Sequence, residues 1–123
     1  MKRDMELVRS ILKAVESASD IMDDGDFAGL GDFRAVSYHV ELLIAHGLID
    51  GKVKRDFNHD VTDMTVLGLT WDGQDYLDAM RDDRVWKRAK KALSESIGST
   101  TLGVVKEACT YVAIQMFKEH IGI

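Results

Sequence analysis

At 123 residues, 46% of them apolar, the chain has room for one domain and a single core. A charged fraction of 30% and a net charge of −5 exclude a strongly basic nucleic-acid coat, so any DNA binding has to be local. Cys109 is the sole cysteine, which excludes an intrachain disulfide framework and suits a reducing cytoplasm.

The opening MKRDMELVRSIL is charged every few residues and lacks the apolar run of a signal peptide. The spacing of Met5, Val8, Ile11, Leu12 and Val15 predicts a helix from Asp4 to about Ala18 with one apolar stripe. Asp20 to Gly31 is rich in Asp and Gly and reads as loop, with at most a brief turn or strand around Phe27. Val36, Val40, Leu43 and Ile44 predict a second helix from about Asp32 to His46, with Asp32 as N-cap and Gly47 as the left-handed stop. This helix places Arg34, Ser37, Tyr38 and Glu41 on the face away from the valines.

Leu48-Ile49 opens an extended piece. Lys52 to Phe57 alternates polar and apolar residues, Asn58-His59-Asp60 is turn chemistry, and Met64 to Leu69 returns as a strand. Thr70 stands where an N-cap belongs, ahead of a helix with Trp71, Tyr76, Leu77 and Met80 as candidate core. The pattern runs on to Leu93 with a break near Asp82-Asp83. A last helix, roughly Thr100 to His120, repeats Leu102, Val105, Cys109, Val112 and Met116 at alternating spacings of three and four. Two readings of that seam stay open: it pairs with its copy in a homodimer, or it folds back on the first helix. Leu102 to Phe117 is the most apolar stretch, but Lys106 and Glu107 interrupt it and it is too short to span a bilayer.

The fold class expected is mostly α with a small β-hairpin (α+β): a winged helix-turn-helix-like domain over residues 1–84, whose usual second helix is shortened or missing, plus C-terminal helices. Residues 85–123 form a helical extension packed on that domain or making a dimer interface.

Three blocks carry a resemblance. LTWDGQDYLDAMRDDRVWKRAKKAL (Leu69 to Leu93), the opening MKRDMELVRSIL and YHVELLIAHGLIDG (Tyr38 to Gly51) resemble the small bacterial and prophage proteins grouped as domain of unknown function 2513. The blocks cover under half of the chain, in the family's order. Gln74 and Tyr76 depart from it, at positions expected to be His and Phe, as does the loop from Ile21 to Leu30. The resemblance implies a winged-helix-like domain found in phages and mobile elements, with no established catalytic residues.

As a DNA-binding site the residues offer Arg34, Ser37 and Tyr38 toward a groove and Lys52, Lys54 and Arg55 on the wing toward phosphate. Glu41 on the same face opposes phosphate. A second basic cluster, Arg84, Lys87, Arg88, Lys90 and Lys91, follows several aspartates and is equally able to pair with them. The candidate dimer interface is Leu102, Val105, Cys109, Val112 and Met116. No metal is expected: counted from Asp20, the third position of a calcium loop is Met22 and the twelfth is Gly31, and the four histidines lack zinc spacing. No cofactor and no catalysis are expected, since Ser37 and His39 point in different directions on one helix and no phosphate loop is present. The functional expectation is a non-enzymatic, cytoplasmic DNA-binding or regulator-like protein. The alternative is an acidic module that binds a host or phage protein on the same scaffold, and neither reading involves a membrane.

Overall fold

A computed structural model describes residues 1–96 and 101–123 of the chain. Within them the protein is mostly helical with a small antiparallel sheet, in the order α1 (Met5–Ser17), β1 (Met22–Asp23), a 3-10 helix (Asp24–Leu30), α2 (Phe33–Ala45), β2 (Ile49–Arg55), β3 (Val61–Leu69), α3 (Trp71–Met80), α4 (Asp83–Ser96) and α5 (Leu102–Ile121). It divides into two compact units, Met1–Asp75 and Tyr76–Ile123.

In the first unit, Asp4 caps α1 by accepting the Glu6 and Leu7 N–H groups, and Val8, Ile11, Leu12 and Val15 form the buried stripe. α1 lies against α2 and β3. α2 starts on Asp32, which accepts the Ala35 N–H, and buries Val36, Val40 and Leu43. It stops at Gly47, whose φ of +81° is the left-handed conformation that glycine adopts without a Cβ penalty.

The sheet is three-stranded, in the order β1-β3-β2, where a two-stranded hairpin was expected. β2 and β3 pair antiparallel with Ile49 opposite Leu69, and β1 adds Met22 opposite Val66 on the other edge of β3. Met64 and Val66 face the core; Leu67, between positions of the inward set, faces outward and is exposed. The stretch expected as loop is ordered. Asp23 and Asp26 form a reciprocal capping box at the start of the 3-10 helix, which carries Phe27 into the core. Those carboxylates serve backbone amides, and no cluster of metal-ligating side chains occurs among the described residues.

Thr70 ties α3 to the end of α2. Its hydroxyl donates to the Gly47 carbonyl and accepts the Gly73 N–H at 3.0 Å, while its own N–H donates to Leu48 O at 3.1 Å. Gly73 is buried hard against the Leu48 carbonyl, a close approach that leaves no room for a Cβ. Trp71, expected in the core, is 84% exposed. The reason is helical phase: the buried positions of α3 are Gly73, Tyr76, Leu77 and Met80, and residue 71 stands about 200° round the helix from residue 73.

In the second unit α4 and α5 pack together, burying Val85, Trp86 and Ala89 on one helix and Leu102, Val105 and Cys109 on the other. The Tyr76 hydroxyl donates to Leu102 O at 2.7 Å. Thr101 caps α5 through the Val104 N–H; the expected start at Thr100 lies outside the described residues. Asp82 opens α4 by accepting the Arg84 and Val85 N–H groups, with the Arg84 guanidinium 3.0 Å from its other oxygen. The Arg84 side chain first, then those two N–H groups, lower its pKa from 3.8 to about 2. A depressed carboxylate contributes stability that is present above pH 3.8 and is lost as pH falls toward 2. The Asp82 carboxyl-carbon resonance is therefore expected to titrate near pH 2, with the start of α4 loosening over the same interval; a midpoint near 4 would show that the cap does not form.

Candidate functional site

Between α2 and the β2–β3 hairpin lies a cleft of about 660 Å³. One wall is α2, with Phe33, Arg34, Ser37, Tyr38 and Glu41 at the turn-by-turn spacing that puts them on one side. The opposite wall is the hairpin, with Arg55, His59, Asp60 and Val61, and Met1 also lines the cleft.

The hairpin tip holds its shape through local bonds. Asp56 accepts the Asn58 and Asp60 N–H groups, its own N–H donates to Asp60 O, and His59 takes a left-handed φ of 64°. Phe57 at the tip is fully exposed. Arg55 pins this tip to α2: one guanidinium nitrogen donates to His59 O at 2.6 Å and another pairs with the Glu41 carboxylate. Both side chains of that pair are 40% exposed, so it contributes at most about 1 kcal/mol. Its larger effect is to occupy Arg55, a hairpin cation that lines the cleft.

Under the cleft wall, His39 is buried and bonded at both ring nitrogens. The Asp4 N–H donates to Nε2 at 2.8 Å, and Nδ1 lies 2.7 Å from Ala35 O. Because a backbone amide only donates, Nε2 is the acceptor and the proton sits on Nδ1. This side chain joins the start of α1 to α2.

Of the six residues expected to meet DNA, Arg34, Ser37, Tyr38 and Arg55 come together in the cleft. Ser37, expected at the exposed face, is only 4% exposed; its hydroxyl donates back to Arg34 O. It forms part of the floor, because the 3.6-residue turn places position 37 beside the buried Val36 and Val40. Lys52 and Lys54 are exposed on β2 outside the cleft lining, two residues apart and so on one face of the strand. The irregularity between Lys54 and Arg55 interrupts that alternation. Phe33, His59, Asp60 and Val61 were not anticipated; turn chemistry at 58–60 was the available signal, since a tight hairpin fixes where residues 59–61 lie relative to Arg55.

The second basic cluster is partly neutralised, with Arg84 on Asp82 and Arg88 3.8 Å from Glu119. Of the expected dimer seam, Leu102, Val105 and Cys109 are buried and Val112 and Met116 are half-buried on the same face of α5. Among the described residues no helix is long and apolar enough to cross a membrane.

Comparison with known proteins adds two matches. The family described as "Hypothetical protein (DUF2513)" matches residues 2–100. A protein of Haemophilus influenzae (strain ATCC 51907 / DSM 11121 / KW20 / Rd), described as uncharacterized, is 34% identical over 122 residues, covering 94% of this chain and 98% of its own length. No solved structure matches at a significant level.

Proposed function

Starting from the fact that the chain belongs to the DUF2513 family, we propose that its first unit is a winged-helix module that binds duplex DNA, in a cytoplasmic, regulator-like role of the kind phages and mobile elements use. The order helix, strand, short helix, helix, strand, strand supports this reading, with the 3-10 helix standing where the supporting helix of a helix-turn-helix would be. The single observation that carries it is the placement of Arg34 and Tyr38 on α2 directly across a cleft from the hairpin, while Lys52 and Lys54 stand exposed on the adjoining strand. α2 then meets the groove and the hairpin lysines meet phosphate.

The module is a binder, not a catalyst. Ser37 is turned toward a carbonyl and His39 is held by two backbone groups beneath the wall, so these two do not form a nucleophile and base pair at the opening.

A second reading, a protein partner in the same cleft, is favoured by charge. Residues 1–75 hold fifteen acidic and eight basic side chains, and Glu41 already occupies Arg55.

Fluorescence anisotropy with a mixed-sequence 20-base-pair duplex separates the two. With Lys52 and Lys54 on phosphates, log affinity is expected to fall against log salt with a slope of about −2. Glu41→Gln removes a carboxylate from the face and releases Arg55, and is expected to tighten binding about three- to tenfold. Absence of binding at 50 mM salt, or weaker binding by Glu41→Gln, overturns the DNA reading in favour of a protein partner.

A further inference from the structure

The helix α5 is apolar on two opposite sides, and among the described residues one of them is covered while the other is exposed. Leu102, Val105 and Cys109 are buried, whereas Val104, Tyr111, Ile114 and Ile121 are exposed, Tyr111 to 64%. At 100° per residue the two sets have mean directions nearly 180° apart. The outer set follows a heptad: Val104, Glu107, Tyr111, Ile114, Lys118 and Ile121 are separated by three or four residues throughout. Phe117, 61% exposed, flanks it.

We propose that this outer face is a homodimer surface on which two α5 helices lie antiparallel about a two-fold axis between Val112 and Ala113. In that register Val104 meets the partner's Ile121, Glu107 meets the partner's Lys118, and Tyr111 meets the partner's Ile114, with each layer repeated across the axis. The four apolar layers bury side chains that water now covers, over a seam of about 25 Å. The two polar layers fix the direction. Glu107 and Lys118 are exposed, and neither has an ion pair among the described residues. A parallel pair would set Glu107 against Glu107 and Lys118 against Lys118, while the antiparallel pair sets opposite charges together at both ends. Self-complementarity under a two-fold operation is what a closed dimer requires. A partner of unrelated sequence has no reason to match this alternation of charge.

Sedimentation equilibrium on the full chain from 1 to 500 μM tests the proposal. The wild type is expected to dimerise within that range. Glu107→Lys alone and Lys118→Glu alone each place like charges in two layers and are expected to raise the dimer Kd at least about tenfold. The double variant Glu107→Lys/Lys118→Glu restores the pairing and is expected to dimerise like the wild type. All the altered side chains are exposed, so circular dichroism should show unchanged folding. A wild-type monomer at 500 μM, single reversals without effect, or a double variant that stays monomeric would each overturn the assignment.

Discussion

Replacing Gly73 by alanine is expected to destabilise the first unit by about 3 kcal/mol or more, measured as a fall in the urea midpoint without a change in slope. The cause is space. A Cβ at position 73 would lie far inside contact distance of the Leu48 carbonyl oxygen and carbon, and these are backbone atoms that no rotamer change moves aside. The same oxygen accepts the Thr70 N–H, and the Thr70 hydroxyl holds both Gly47 O and the Gly73 N–H. Shifting Leu48 therefore disturbs the junction between α2, β2 and α3 together, in an interior packed too densely to absorb the displacement. Gly29→Ala is the control: nothing lies within 4 Å of a Cβ there, so the midpoint should hardly move. Equal effects at the two positions would show that lost glycine flexibility, and not the Leu48 contact, is responsible.

The second large effect is expected at His39. His39→Leu fills a similar volume, yet it leaves the Asp4 N–H without its acceptor and cuts the tie between α1 and α2, at a cost of about 2–3 kcal/mol. The tautomer can be read directly from long-range nitrogen–proton NMR couplings. Nδ1 should be the protonated nitrogen, because Nε2 faces a donor. An Nε2–H signal, or a Leu variant as stable as the wild type, would show that the bond from Asp4 does not form in solution.

Strong local signals were legible in the sequence. The α1 stripe, the glycine stop at 47, the Thr70 cap and the strand from Met64 to Leu69 follow from periodicity and from residues with one dominant local use. Short or two-sided features were not legible. β1 is two residues long, too short for alternation to register, and the 3-10 helix is built from the Asp and Gly that ordinarily mark loops. Trp71 illustrates a further limit, since one residue of phase at a helix start sends a large aromatic outward however apolar it is. Ser37 is the converse: a small hydroxyl that satisfies itself on its own helix can be buried where composition reads polar surface. On α5, two heptads interleave in one sequence, and periodicity alone cannot say which one the chain covers. For the cleft, the α2 face and the hairpin were both recognisable, but the Glu41–Arg55 pair spans fourteen residues and needs the tertiary fold to bring it together.

Aspartates begin much of this molecule: Asp4, Asp23, Asp32 and Asp82 each receive amide protons at the start of a helix, and Asp56 does so in the hairpin turn. What those amides require is an oxygen, which asparagine supplies as well as aspartate does. Exchanging the five would carry the chain from −5 to electrical neutrality with an oxygen still in place for each of those amides, although Asp82 would lose the second oxygen that meets Arg84. Much of the protein's acidity is thus scaffolding, which makes its isoelectric point a poor guide to what it touches.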